Sequence, residues 1–192
     1  MSFTHETPIN SFDIFPNEPS MNAFFTSQYR RLFNTTRIPV TAAADEIVHF
    51  PSESSSHIAV IHNGKYWKLD CYDEFNRALT PAELQDQFKI ILSDKSEPQP
   101  GEDKLAACTA ASRDKWHHVR KTHFLSRQVN AETINCIESA AFVVCLRGKK
   151  FDMDENNKNG GLSEIAKDLL HGDNGTDIWF DKSFNYIIYS VF

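Results

Sequence analysis

The chain has 192 residues, room for one ordinary domain with its own core, and its 41% hydrophobic and 24% charged content excludes a disordered or fibrous protein. A formal charge of −6 argues against the basic face that nucleic-acid binding needs, so no nucleic-acid partner is expected. No apolar run approaches the ~20 residues of a membrane helix.

Residues 1–20 are rich in Pro, Asn and Ser and read as an extended lead-in. They fit neither a secretory signal nor an Arg-rich transit peptide, and Ser190-Val191-Phe192 is not a peroxisomal tripeptide. Met21 to Phe33 reads as a helix that ends before Asn34, and Pro39 pushes Ile38 towards extended geometry. Residues 40–56 read as a polar, Ser-rich loop. His57–Ile61 and Tyr66–Cys71 flank Asn63-Gly64, a pair that takes the positive φ angles of a type I′ turn, so a β-hairpin is expected. Thr80-Pro81-Ala82-Glu83 opens a helix with a capping box and a proline in the first turn. Leu84, Phe88, Ile91 and Leu92 form its expected buried face.

A Pro- and charge-rich loop over Ser93–Gly101 precedes an expected helix from about Ala111 to Phe124, with Trp116, Val119 and His123 on one side. Asn130 reads as the cap of another helix that turns Ile134, Ile137 and Ala141 inward. The apolar run Ala141–Leu146 reads as a strand buried on both faces. Residues 147–161 read as a polar loop, Leu162–Leu170 as a short amphipathic helix, and Phe184–Phe192 as an aromatic, β-branched strand. The fold class expected is α/β, a mixed sheet with packed helices.

Candidate chemistry is sparse. Asp152-x-Asp154-x-Asn156 opens like a calcium loop, but Asn157 and Ser163 stand where the loop needs glycine and glutamate, so a solvated loop is the better reading. His117, His118 and His123 lie five and six residues apart, or side by side, which does not put them on one helical face; no metal site is assigned. Asn34 and Asn174 sit in glycosylation sequons that matter only in a secreted chain. The four cysteines, Cys71, Cys108, Cys136 and Cys145, form no C-x-x-C pair and read as buried, reduced thiols of a reducing compartment. No nucleophile elbow, phosphate-binding loop or dinucleotide fingerprint is present, so no catalytic residue is assigned and substrate-binding residues stay unknown.

Several stretches in order nevertheless resemble the choline/carnitine acyltransferase family. Tyr29 to Pro39 is similar to its Y-x-x-L-F-N-T/S-T-R-I-P segment, and His57 to Leu69 to its hairpin. Cys108 to Arg120 is similar to its L-T-x-x-x-R-x-x-W-x-x-x-R helix, with cysteine for the usual leucine. Ala141 to Leu146 matches its F-x-x-C-L strand. Leu169 to Asn185, LLHGDNGTDIWFDKSFN, is most similar to the mitochondrial carnitine palmitoyltransferase branch.

The resemblance implies a chloramphenicol-acetyltransferase-like, CoA-dependent acyltransferase domain, of which residues 21–192 would be part. It implies acyl transfer between coenzyme A and carnitine in fatty-acid metabolism, in the mitochondrion with the cytoplasm as the alternative, and acyl-CoA and carnitine as partners. The coenzyme A thioester is a co-substrate, and no cofactor is implied. In the family a histidine serves as general base, a role suited to a pKa near neutrality. That histidine sits in an E-H-S/A-x-x-D/E-G motif after the final strand, and none of the eight histidines here has that context.

Ile178 stands where the family has an arginine that pairs with a carboxylate near the histidine, and Asp177 stands where it has asparagine, after one extra residue in the turn. An aliphatic side chain cannot make that charge-assisted bond. The final strand ends in Val191-Phe192 instead of Asn-Gly or Asp-Gly. The implied reading is a truncated, inactive piece of a carnitine O-acyltransferase. The alternative is a non-catalytic partner or regulatory fragment of a full-length acyltransferase, associating through the exposed C-terminal strand. Trp179-Phe180-Asp181-Lys182 reads as a structural corner, and Trp116 as a core residue.

Overall fold

The computed structural model describes residue 29 and residues 31–148, 161–171 and 175–189. The expected helix upstream of Asn34 and the calcium-like loop fall largely outside these residues; Arg31–Phe33, which are described, form a turn. Thr35–Ile38 (β1) pairs antiparallel with Glu46–His49 (β2), so part of the expected 40–56 loop is a strand. Three of the four β2 residues are exposed, and a strand that buries so little carries no alternating apolar pattern to announce it. Its partner β1 is held in place by tertiary bonds, and β2 pairs along it.

The main sheet runs β4-β3-β5-β6. β3 (His57–His62) and β4 (Lys65–Asp70) form the expected hairpin, with Asn63 at φ 49° and Gly64 at φ 73°. A Cβ on Gly64 would lie 2.9 Å from Asp103 Cβ, so the turn needs glycine for space as well as for φ. β3 lies parallel to β5 (Val143–Arg147), and β5 parallel to β6 (Asn185–Tyr189).

Both faces of the sheet are covered, which is why β3 and β5 are continuous apolar runs. On one face Ile58, Val60, Leu69 and Val144 pack under helix α1 (Pro81–Ser93) through Ile91, Leu84 and Phe88. The Thr80 capping box closes α1 as expected, but Leu92 is 55% exposed: it lies one residue past Ile91 and turns away from the sheet. On the other face Ala59, Ile61, Val143 and Cys145 meet Trp116, Ile134, Ile137 and Trp179.

Two short helices precede that packing, α2 (Ala107–Ala110) and α3 (Arg113–Val119). α3 runs into a π-helical turn over Arg120–Phe124. A π turn inserts a residue and rotates the side chains after it around the helix axis. Phe124 therefore meets Trp116 edge-on at 5.7 Å, while His123, expected on that side, is exposed. α4 (Gln128–Ser139) is preceded by an extended Arg127; Asn130 lies inside it and ties its side-chain amide to the His123 carbonyl, so it is not the cap. Ile134 and Ile137 are buried as expected, but Ala141 lies beyond the helix and donates its N–H to His57 instead. α5 (Leu162–His171) links β5 to β6. Among the described residues no helix is long and apolar enough to cross a membrane.

Candidate functional site

The corner Trp179–Lys182 leads into β6 and is almost wholly buried, Trp179 completely and Asp181 and Lys182 to about 95%. Asp181 is its centre. One carboxylate oxygen accepts from Trp116 Nε1 at 2.7 Å; the other accepts from Arg37 Nε at 3.1 Å and lies 2.8 Å from Arg113 Nη1. The Asp181 carbonyl takes the Arg37 N–H at 2.8 Å and the Thr36 hydroxyl at 3.0 Å. Asp45, from the turn before β2, closes the ring by pairing with Arg113 at 2.8 Å and Arg37 at 3.3 Å.

Two part-exposed arginines and two largely buried aspartates thus neutralise one another. Burial alone would lower the Arg113 pKa, but its bonds to Asp181 and Asp45 outweigh that and raise it. Lys182 has no such carboxylate contact: its ammonium donates to the Glu138 carbonyl at 2.6 Å, while the Glu138 carboxylate is forked onto Arg120 at 2.7 and 2.9 Å. Burial depresses Lys182 to about 8, with the Glu138 charge opposing the shift.

A second network stands at the carboxyl ends of β5 and β6, where open α/β sheets place their crevices. Arg147, 8% exposed, pairs with Asp168 of α5 and reaches both oxygens of Asp177, Oδ1 at 3.0 Å and Oδ2 at 2.6 Å. Tyr189 donates its hydroxyl to Asp168 at 2.6 Å; burial and that bond push the phenol up to about 12. Next to Asp177 in sequence, Ile178 is buried at 4% exposure. Asp177 and Ile178, two of the departures from the family pattern, are therefore accommodated: the carboxylate has an arginine and the aliphatic chain is packed away.

An open cleft of about 990 Å³ lies between the two networks. Lys167 and His171 of α5 line it, together with Ala110, Ala111, Arg113, Arg37 and Phe180. Gly175, at φ 77°, sits where a Cβ would approach Ala110 to 3.2 Å, so glycine lets the chain pass close under the α2–α3 turn.

The histidines make no acid–base pair with a carboxylate among the described residues. His117 Nδ1 meets the Pro39 carbonyl at 2.8 Å, His57 Nε2 the Cys136 carbonyl at 2.8 Å, and His49 Nδ1 the Thr35 hydroxyl at 2.9 Å. Burial lowers the His57 pKa. His118 and His123 are exposed, and no cluster of three metal-ligating side chains occurs among the described residues. The thiols are unbridged; Cys145 is fully buried and pushed up to about 12 by that burial, and the other three are partly buried.

The roles of Asp45 and Arg147 were not foreseen in the sequence. Arg147 had one available signal, a lone charge directly after a run of buried apolar residues, which demands a buried partner. Asp45 had none, because nothing local ties it to positions 113 or 181. Trp116 and Arg37 stand 65 and 144 residues before Asp181 in the chain, yet the three lie in the Tyr29–Pro39, Cys108–Arg120 and Leu169–Asn185 pieces on which the family resemblance rests.

The model of the Choline/Carnitine o-acyltransferase family matches residues 5–191. Carnitine O-palmitoyltransferase 1, liver isoform, of Homo sapiens is 39% identical over 164 residues, 85% of this chain and 20% of that protein. The muscle isoform of Bos taurus is 44% identical over 160 residues, again 20% of its length. Carnitine O-palmitoyltransferase 2, mitochondrial, of Mus musculus is 40% identical over 162 residues, 84% of this chain and 22% of that protein. The chain therefore spans about a fifth of the length of these relatives. With its mixed sheet and the meeting of the family's separate motifs at one buried carboxylate, the chain belongs to the choline/carnitine acyltransferase family.

Proposed function

We propose that this chain is a structural portion of a carnitine O-acyltransferase, the enzyme that moves an acyl group between coenzyme A and carnitine in fatty-acid metabolism, and that it acts in the mitochondrion. The convergence of three family motifs on Asp181 carries this reading. Acyl-CoA and carnitine are the substrates of the complete catalyst, and residues 21–192 form part of its domain.

Within the chain the network is scaffold. Its two carboxylates each pair with both guanidiniums, though Arg113 Nη2 is left without a partner among the described residues, and no described histidine is oriented by a carboxylate as a general base would be. Purified 1–192 therefore forms no acylcarnitine from acyl-CoA and carnitine above the uncatalysed rate. Acylcarnitine formation by 1–192 that is abolished by a substitution within it overturns the scaffold reading.

A second reading is a non-catalytic partner or regulatory fragment of a full-length acyltransferase, and the place of β6 at the sheet edge favours it. β6 is NYIIY, with no charge or proline to block strand addition. Size-exclusion chromatography of 1–192 with a full-length homologue tests it: co-elution supports the partner role, and separate elution at micromolar concentration ends it.

A further inference from the structure

Asn63 and Gly64 form the tip of the β3–β4 hairpin, and the groups around them are placed for a reaction of the chain on itself. The Asn63 side chain is exposed, so water reaches its carboxamide. The Gly64 N–H donates to no acceptor among the described residues, and glycine sets no Cβ beside that nitrogen. His62 lies at the carboxamide nitrogen: its Nε2 is 3.2 Å from Asn63 Nδ2, while its Nδ1 is 3.3 Å from the Leu146 carbonyl. A carbonyl only accepts, so Nδ1 carries the proton and Nε2 takes the Asn63 N–H. The bond from β5 thus holds the ring with Nε2 on the side-chain nitrogen.

We propose that Asn63-Gly64 is a site of spontaneous deamidation, with His62 assisting the departure of ammonia. The Gly64 nitrogen, having given its proton to solvent, attacks Asn63 Cγ, and the new C–N bond closes a succinimide ring. The Cγ–Nδ2 bond breaks. His62 Nε2, once protonated from solvent, hands that proton to Nδ2, which leaves as ammonia. Water then opens the imide at either carbonyl, giving aspartate or isoaspartate. The sum is amide plus water to carboxylate plus ammonium, and it needs no oxidant or cofactor. The inference is independent of the catalytic reading.

The turn has little room for the product. Isoaspartate adds a carbon to the main chain ahead of Gly64, and a Cβ on Gly64 would already meet Asp103 Cβ at 2.9 Å and Cα at 3.2 Å. The segment that carries Asp103 is tied to the hairpin by Lys65 to Asp94 at 2.5 Å, by the Tyr66 N–H to Glu102 at 3.3 Å, and by the Ala106 N–H to the Tyr66 hydroxyl at 2.8 Å. Conversion therefore adds a negative charge to the turn and moves Gly64 against a segment that is held in place.

Peptide mass mapping of the folded full chain, aged at neutral pH in heavy-oxygen water, tests the proposal. The expected result is a peptide in which Asn63 has lost its side-chain nitrogen and gained labelled oxygen, in aspartate and isoaspartate forms that separate on chromatography. Asn63→Gln abolishes the conversion at this position, and His62→Gln, with its fold checked by circular dichroism, slows it several-fold. An Asn63 amide still intact when the excised peptide has converted overturns the proposal. So does conversion confined to Asn159 and Asn174, which also precede glycine. A rate that His62→Gln leaves unchanged or raises overturns the role given to His62.

Discussion

Asp181 and Glu83 each lie close to an arginine, 2.8 Å from Arg113 and 3.0 Å from Arg77, and each sits in a network with a second carboxylate. Their surroundings differ. The Asp181 side chain is 3% exposed, whereas those of Arg77 and Glu83 are 54% and 43% exposed. In water the Arg77–Glu83–Asp73 pairs are screened and compete with hydration, so they add little. Asp181 itself is out of reach of water and Arg113 and Arg37 are 27% and 42% exposed, so removing a partner of this carboxylate strands a buried charge, while removing the carboxylate leaves part-exposed ones. Bond length says nothing of the difference; burial and the sequence distance spanned decide it. The Arg77 network ties residues 73 to 83, while the Asp181 network joins β1, α3 and the corner before β6.

Asp181→Ala gives the largest effect. It leaves Asp45 as the one carboxylate on Arg37 and Arg113 among the described residues and takes the acceptor from Trp116, and denaturant unfolding should show a loss of about 3–5 kcal/mol. A loss near that of a surface substitution would break the comparison. Trp116→Phe sharpens it by keeping an aromatic ring against Phe124 and Trp179 while deleting the N–H that Asp181 accepts at 2.7 Å. The expected cost is about 1–3 kcal/mol by the same measurement.

Lys182 tests the buried network through pH. Its pKa falls from 10.5 in the ordinary side chain to about 8 in the fold. Between these values the unfolded chain holds a proton that the folded chain has shed, so stability rises with pH. Below about 8 both states are charged and the full burial penalty is present. Cys145 works in the opposite direction above pH 9, since burial keeps its thiol protonated to about 12. The difference between wild type and Lys182→Met isolates the lysine: Lys182→Met gains relative stability below pH 8 and loses that advantage by pH 10.5. An unfolding difference that stays flat across this window removes the claim that Lys182 is held against its charge.

Arg77→Ala is the smallest effect. The Arg77 hydrogen bond, ahead of the Thr80 backbone bond, brings Glu83 to about 2, but both groups are open to water. Thermal melts of wild type and Arg77→Ala should nearly superimpose, and converge further at high salt. A melt displaced as far as that of Trp116→Phe would show that burial is the wrong variable.

Local chemistry made part of this architecture legible. Asn63-Gly64 specifies its turn because few other residues tolerate two positive φ angles in sequence, and Thr80 with Glu83 specifies a helix start through bonds three residues apart. The apolar run of β5 announced a strand buried on both faces. Where expectation and structure part, the decisive contact is distant. Leu92 stands four residues after Phe88, but α1 settles on Ile91 and turns Leu92 away from the sheet. His123 yields its place to Phe124 because a π turn shifts the register. β2 exists because β1 needs a partner, not because its own residues bury anything.

The functional region divides the same way. The ordered motifs from Tyr29 to Asn185 were enough to identify the family, since each motif is a string and strings survive without coordinates. That Asp181 gathers Arg37, Arg113, Asp45 and Trp116, and that Arg147 answers Asp177 beside Ile178, was decided by tertiary structure alone. Pairings across such sequence distances depend on how strands and helices are stacked, and no local periodicity encodes them. The physical reason is the interior itself: once these charges leave water, each must find its partner wherever the fold has put one.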